Sequence, residues 1–288
     1  MKKKLFFIFI FIFIFLLCIV GCSRGKTTVM KKSVVFPIET KPAQSSSTPD
    51  FKKNTDIKPY GRSVPVLEYH SISYVKGDPI CMPIKKFKEQ MKYLYDNGYY
   101  TITLRNLYDY LMNNTPIPRK SVVLTFDDGY EDNYTAMLPV LKKYNFKATI
   151  FVITGEIDKS HRFLQTKQLL EMEKYGIDIE SHTVNHDKLE NISKNKQLKT
   201  LIQSKQYLEK TLDKQIIFFA YPYGGYNQKA IKSVRETGYK MAFTTKSGWS
   251  SKYNGMLSLH RVWVGTSDSL KVFHNKISNP NYQFLNLL

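Results

Sequence analysis

Two short polar clusters in the sequence contain residue types that bind divalent metal ions. His182 and His186 are four residues apart after an apolar segment, and a helical turn there would place both imidazoles on one face. Asp127 and Asp128 follow another apolar segment, and adjacent carboxylates stay ionised at low cost only when a cation or donor compensates one of them. Together the clusters offer a His-His-Asp site with a fourth position open to water, which is the arrangement of a catalytic zinc ion.

Each cluster also has a simpler interpretation. The segment from Asp127 to Gly129 is typical of a tight turn, in which a carboxylate bonds to nearby backbone N–H groups. The chain has only six histidines, and two of them occur at metal-binding spacing directly after a predicted strand. The histidine spacing therefore favours a metal site over two unrelated histidines.

Strand-like and helix-like segments alternate along most of the chain, and they must position these clusters. Apolar runs typical of strands lie at 64–69, 99–103, 122–126, 148–153, 177–180, 216–220, 240–244 and 257–264. Helical spacing occurs around 87–94 and at 104–112, 132–144, 166–175, 195–212 and 228–237. This alternation predicts a parallel α/β sheet, either doubly wound or closed as a (β/α) barrel.

In both architectures, ligands bind at the carboxyl ends of the strands. Both polar clusters lie at such strand ends, as do Tyr69-His70 and the segment from Tyr221 to Gly224. We therefore expect all four segments to meet at one mouth of the sheet.

The segments at the strand ends resemble the signature motifs of a known family. Thr125 to Gly129 and His182 to His186 resemble the first two motifs of the polysaccharide deacetylases, the NodB-homology or carbohydrate esterase family 4. Phe219 to Gly224 resembles the third motif, and Val64 to His70 resembles the opening strand of the poly-β-1,6-N-acetylglucosamine deacetylase branch. The resemblance covers roughly residues 64–264 and implies an irregular (β/α) barrel of the NodB-homology type.

The resemblance implies a role for each matched residue. Asp127 would be the general base, while Asp128, His182 and His186 would hold a divalent metal ion, expected to be zinc. The main-chain N–H of Tyr223 would stabilise the oxyanion that forms when water attacks the acetamide carbonyl.

A general acid must also protonate the departing amine. His70 ends an apolar strand at the same mouth and is our candidate, whereas His260, inside a predicted strand, is the alternative. Ala220 stands where many family members carry an arginine that orients the base. The support of Asp127 is therefore left open by the sequence.

The N-terminus has the features of an export signal. Lysines at 2–4 precede an unbroken 16-residue apolar run from Leu5 to Val20. This run is shorter than the ~20 residues that span a bilayer, so a retained transmembrane anchor is the alternative interpretation. Ile19 to Cys22 resembles the lipobox of bacterial lipoproteins, which implies that Cys22 is lipidated and anchors the protein to the outer face of the cell membrane.

The expected organisation is a signal peptide at 1–21, a lipid-anchored tether at 22–63 and a deacetylase domain at 64–288. The tether is rich in Lys, Ser, Thr and Pro and has little periodic hydrophobicity. If Cys18 is removed and Cys22 is acylated, Cys81 remains alone, and we expect it to be a small buried residue without a disulfide partner.

Composition limits the classes of function. The net charge of +19 favours anionic partners, but the lysines are scattered and the chain has no nucleic-acid motif, so we expect no nucleic-acid partner. The expected activity is hydrolysis of N-acetyl groups from a wall or surface polysaccharide that contains N-acetylglucosamine, by a monomer. An O-acetyl esterase with the same metal centre and a carbohydrate-binding lipoprotein without turnover are the alternatives.

Overall fold

The computed structural model describes Phe51 and residues 55–283. The predicted signal peptide, the predicted lipid anchor at Cys22 and most of the predicted tether lie outside these residues. None of the helices in the described ranges has both the length and the apolar character needed to cross a membrane.

Strands and helices alternate through the described part of the chain. The strands are β1 (Val66–Tyr69), β2 (Tyr100–Thr101), β3 (Ser121–Asp128), β4 (Ala148–Val152), β5 (Ile177–Ser181), β6 (Phe218–Ala220), β7 (Met241–Ser247) and β8 (Leu259–Trp263). The α-helices are α1 (Ile84–Asp96), α2 (Leu104–Asn113), α3 (Leu138–Tyr144), α4 (Thr166–Lys174), α5 (Lys194–Leu212), α6 (Gln228–Glu236) and α7 (Leu270–Ser278).

The parallel sheet closes into a ring because β1 pairs with two strands. Leu67 of β1 lies opposite Val262 of β8, and Val66 lies opposite Val123 of β3. The remaining order runs β8, β7, β6, β5, β4, β3, while the two-residue β2 pairs only with the first residues of β3. This irregular (β/α) barrel confirms the fold class that the sequence predicted.

The interior of the ring has an apolar layer below a polar layer. Alternate strand residues face the same side of a sheet, so inward positions recur every second residue. The apolar layer contains Val66, Val123, Phe151, Phe218, Phe243 and Leu259. The polar layer contains Glu68, Thr125, Asp127 and Arg261, none of which is more than 2% exposed. The polar layer lies toward the carboxyl ends of the strands, where the sequence places the candidate site.

Helix α7 was not predicted from the sequence. The Ser269 hydroxyl caps this helix by accepting the Val272 N–H, and its two buried apolar residues, Phe273 and Ile277, lie one turn apart. Two apolar residues in nine are too few to show a clear helical period in the sequence.

Packing begins before Val64, the predicted start of the domain. Ile57 forms an antiparallel bridge with Pro118, and the Lys58 N–H donates to the Ile117 carbonyl at 2.9 Å. The Lys58 side chain is only 8% exposed. Residues 55–63, which the sequence analysis assigned to the tether, are therefore part of the packed structure.

A buried carboxyl group fixes the start of β6. This strand pairs with β5 through a single register pair, Ser181 and Phe219. Glu180 Oε2 accepts the N–H groups of Ile217 at 3.1 Å and Phe218 at 2.8 Å, and burial raises the pKa of Glu180 well above its ordinary value. The Glu180 carboxyl therefore takes the place of main-chain ladder bonds between two strands that both lead into the candidate site.

We expect Glu180→Ala to lower the free energy of unfolding by about 2–4 kcal/mol, because it leaves two buried N–H groups without an acceptor. Glu180→Gln retains a carbonyl oxygen and should lose less than half as much. Urea unfolding followed by circular dichroism measures both, and equal losses would show that the two hydrogen bonds do not hold β6.

Candidate active site

Three potential metal ligands meet at the carboxyl ends of β3 and β5. Asp128 Oδ1 lies 3.3 Å from His186 Nε2 and 3.5 Å from His182 Nε2, and the two Nε2 atoms are 3.2 Å apart. Tetrahedral ligands about 2.0–2.1 Å from a zinc ion are separated from each other by roughly 3.3 Å. The three atoms therefore have the spacing of three corners of a tetrahedral site, and their chemistry fits a divalent metal.

The protonation of the two histidines suits metal binding. His182 Nδ1 lies 2.8 Å from the Ala220 carbonyl oxygen, which can only accept, so Nδ1 carries the proton and Nε2 keeps its lone pair. Burial lowers the pKa of His182 to about 3 and also lowers that of His186. Both imidazoles are neutral at pH 7, as metal ligands must be.

A loop, and not the helical turn suggested by the spacing, brings His182 and His186 together. Thr183 and His186 adopt left-handed backbone conformations, with φ of 68° and 57°. The loop is pinned from outside: Val184 N–H donates to Thr200 Oγ1 at 3.0 Å, and Gly155 N–H donates to the Val184 carbonyl at 2.8 Å. The expected convergence of the imidazoles is present, but tertiary contacts produce it.

Asp127 lies beside this trio and is held by Arg261. The guanidinium Nη1 and Nη2 atoms donate to the two carboxylate oxygens at 2.7 and 2.6 Å, and Nε donates to the Thr244 carbonyl at 3.0 Å. Burial alone would raise the pKa of Asp127, but the charge and hydrogen bonds of Arg261 hold it well below its usual range. Asp127 is therefore ionised at neutral pH.

Arg261 also resolves the question raised by Ala220. The guanidinium that orients Asp127 comes from β8, not from the third motif. A charged residue inside an apolar strand was the available signal, but only its neighbour His260 was a predicted candidate. Successive strand residues face opposite sides, so His260 points away from the face that carries Arg261. This placement gives no support to His260 as the general acid.

Glu68 and His70 lie next to Asp127 on the β1 side of the mouth. One ligand-type atom from each of these three residues lies within 4.8 Å of the others. His70 Nδ1 is buried without a hydrogen-bond partner among the described residues, and its ring meets the Trp263 ring edge-on at 5.5 Å. His70 was a predicted site residue, whereas Glu68, two residues earlier on the same face, was not.

Glu68 shares Arg261 with Asp127. Its Oε1 lies 3.3 Å from Arg261 Nη2, close enough for an ion pair but without hydrogen-bond geometry. Burial raises the pKa of Glu68 to about 7, against the attraction of Arg261. Glu68 is therefore substantially protonated at neutral pH, which leaves the ionised Asp127 as the main partner of the guanidinium.

The third-motif turn lies against the trio on the other side. Tyr223 has a φ of 58°, and its ring centroid is 4.3 Å from that of His186. Position 224 requires glycine for two reasons. Its φ is 68°, and a Cβ there would lie 2.1 Å from Thr245 Oγ1. The backbone of Tyr223 is thereby held beside the candidate metal ligands.

Comparison with protein families gives a match to the residues at the centre of this site. The family model described as polysaccharide deacetylase matches residues 114–242. The matched range contains Asp127, Asp128, His182, His186 and Tyr223, whereas His70 and Arg261 lie outside it.

Similar proteins include named deacetylases. A Bacillus subtilis protein named as a polysaccharide deacetylase, YxkH, is 41% identical over 210 residues, which cover 73% of this chain and 74% of that protein. The poly-β-1,6-N-acetyl-D-glucosamine N-deacetylase of Staphylococcus aureus is 28% identical over 75% of this chain and 83% of its own length. The structure of the Streptococcus pyogenes deacetylase PplD in complex with acetate is 35% identical, with a TM-score of 0.73, and the match covers 76% of this chain and 99% of that one.

We expect Arg261→Gln to raise the pKa of Asp127, because burial then acts without a compensating positive charge. Carbon-13 NMR titration of the metal-free protein should show Asp127 titrating above pH 4 in the variant but not in the wild type. Arg261→Lys, which keeps the charge without the bidentate fork, should give a smaller rise, and Arg235→Gln on the exposed face of α6 should give none. An unchanged titration in Arg261→Gln would contradict this account of Asp127.

Proposed function

The chain belongs to the polysaccharide deacetylase family, and we propose that it hydrolyses N-acetyl groups of a wall or surface polysaccharide containing N-acetylglucosamine and releases acetate. The observation that carries the proposal is the position of the ionised Asp127 beside Asp128, His182 and His186, with the solvent-exposed ring of Tyr223 next to them. The similarity to a Staphylococcus aureus enzyme named for an N-acetylglucosamine polymer supports the choice of substrate.

The proposal includes a divalent metal, with zinc as the first candidate. Asp128 Oδ1 and the Nε2 atoms of His182 and His186 would hold it, and one coordination position would remain open. When bound, the ion would supply Lewis-acid chemistry, polarising the acetyl carbonyl and making water more acidic.

Asp127 acts as the general base in this proposal. The bidentate contact with Arg261 fixes both of its oxygens, so the carboxylate cannot rotate away from the attacking water. The same contact lowers its affinity for protons, so Asp127 accepts a proton only from water that has become unusually acidic.

Tyr223 and His70 complete the proposed reaction from opposite sides of the mouth. The Tyr223 N–H stabilises the negative charge that develops on the acetyl oxygen, a contribution typically worth about 3 kcal/mol of the barrier. His70 donates a proton to the departing nitrogen, so that the sugar leaves as an amine and not as an amide anion.

The proposed cellular location rests on the sequence alone. We propose that Cys22 is lipidated and that the segment up to about residue 55 tethers the domain outside the cell membrane. Mass spectrometry of the mature N-terminus tests this separately from catalysis.

We expect a chelator to abolish acetate release from N-acetylglucosamine oligomers, because the protein would lose the ion that polarises the acetyl carbonyl. Zinc should restore the activity, because the three protein ligands remain in place to bind it. Asp127→Asn should lower kcat by at least about 100-fold while metal content, measured by atomic emission, stays near one ion per chain. O-acetylated xylan in the same assay separates amide from ester hydrolysis. Acetate release that survives metal removal would overturn the proposal.

We expect His70→Asn to lower kcat on N-acetylglucosamine oligomers by about 100-fold, because the amine then leaves without a positioned acid. Nitrophenyl acetate has a leaving group that needs no proton, so its hydrolysis should fall by less than about threefold in this variant. Asp127→Asn should impair both substrates. Equal losses on both substrates in His70→Asn would remove His70 from the protonation step.

A further inference from the structure

An aromatic ring with a cation beside it flanks the candidate ligands on each of two sides. We call these pairs the basic wings: Tyr223 with Lys188, and Tyr130 with Arg162. The proposed deacetylation assigns the Tyr223 N–H to the oxyanion but leaves both cations without a role.

The first wing adjoins His186. The Tyr223 ring lies 4.3 Å from the His186 ring and is 59% exposed, and Lys188 Nζ lies 4.3 Å from the centroid of Tyr223. The Lys188 side chain is itself exposed to solvent. A sugar ring packed on this aromatic face would therefore have a positive charge within reach of its substituents.

The second wing adjoins Asp128. The Tyr130 hydroxyl lies within electrostatic reach of both the Asp128 carboxylate and the Arg162 guanidinium. The Tyr130 ring stacks on Phe163 with centroids 5.4 Å apart, and the Arg162 guanidinium carbon lies 5.5 Å from the Tyr130 centroid. Arg162 is exposed, and the loop that carries it is fixed by a main-chain bond of 2.9 Å from the Glu131 N–H to the Arg162 carbonyl.

Neither cation is neutralised by the carboxylates next to it. Asp187 accepts a hydrogen bond of 2.6 Å from Thr200 Oγ1, and Glu131 accepts bonds of 3.0 Å from Thr135 and Gln168. Among the described residues, no ion pair joins Lys188 or Arg162 to an acidic side chain. Both positive charges are therefore free to bind an external anion.

We propose that the polysaccharide substrate carries anionic groups on the sugars that flank the reacting N-acetyl sugar, and that Lys188 and Arg162 bind those groups. This inference rests on the proposed deacetylation. The recognised chemistry is a negatively charged oxygen, as in a carboxylate or a phosphate diester, because both bind guanidinium and ammonium groups.

The charge of the product also favours a substrate that carries anionic groups. Each turnover converts a neutral acetamide into an amine, part of which is protonated at neutral pH. A stretch of adjacent deacetylated sugars would therefore be polycationic, and the basic wings would repel it. An anionic polymer that is deacetylated at separated positions avoids this repulsion.

The test compares oligosaccharides of one length that differ in charge, using the full chain in detergent with zinc added. One is a neutral N-acetylglucosamine oligomer, the second carries lactyl carboxylates on alternate sugars, and the third carries phosphate diesters. The measured quantity is the ratio of kcat/KM for acetate release on each anionic oligomer to that on the neutral one.

We expect the wild-type ratio to exceed one and to fall as salt screens the charges. In the double variant Arg162→Gln with Lys188→Gln, the ratio should fall by about tenfold, mainly through KM, as for exposed charge contacts of this kind. The control Lys167→Gln with Lys232→Gln removes two exposed lysines from α4 and α6 and should leave the ratio unchanged. The anionic oligomer that shows the larger fall identifies the anion as carboxylate or phosphate.

A ratio that is the same in the wild type and the Arg162 and Lys188 double variant would overturn the inference and leave the deacetylation proposal standing. An equal fall of the ratio in the control variant would also overturn the inference. The net charge of the protein, and not the basic wings, would then cause the preference for anionic oligomers. Absence of acetate from all three oligomers would refute both proposals together.

Discussion

Arg261 is buried completely, and its guanidinium group lies between carboxyl groups of two different strands. Removing a charge of this kind from water costs several kcal/mol unless hydrogen bonds and an opposite charge compensate it. Here Asp127 of β3 provides two charge-assisted bonds, the Thr244 carbonyl of β7 provides a third, and Glu68 of β1 lies at ion-pair distance. These strands surround the guanidinium only when the ring is closed, so the pairing of β1 with both β3 and β8 brings the compensating groups around Arg261. The polar layer inside the barrel thus both stabilises the fold and forms the floor of the active site.

Three neighbouring carboxyl groups of the site have different pKa values because their environments differ. Arg261 keeps the pKa of Asp127 well below its ordinary range, whereas burial raises the pKa of Asp128 to about 6 and that of Glu68 to about 7. Three like charges at this distance would repel each other strongly, and the differences in pKa reduce that repulsion in the absence of a metal ion. A cation bound by Asp128 would favour ionisation of that group as well. The arrangement therefore suits a base and a ligand that are adjacent in sequence but have different roles.

Backbone strain is concentrated where the chemistry is expected. Thr183 and Tyr223, beside the candidate ligands, have positive φ angles that Thr and Tyr rarely adopt, and Asp128 and His186 have positive φ angles as well. The other non-glycine residues with positive φ are Asn114, Asn145, Asp158 and Asp213, whose side chains tolerate this conformation. The barrel and its loops hold the strained residues by hydrogen bonds such as that from Val184 to Thr200. Lys188 and Arg162 lie on the loops around this centre.

The sequence by itself determined the alternation of strands and helices and the short motifs that contain Asp127, Asp128, His182 and His186, because periodicity and local spacing are properties of neighbouring residues. It also placed His70 at the end of a strand, and therefore at the mouth. It did not determine the partner of Asp127, since Arg261 is 134 residues away and looks like one charged residue in an apolar strand. It suggested a helical turn for the two histidines, whereas a loop pinned from outside brings them together. Contacts between distant strands exist only after the ring has closed. Only the tertiary structure therefore decided how Asp127 is held, that Glu68 lies beside it, and where α7 and the start of the domain lie.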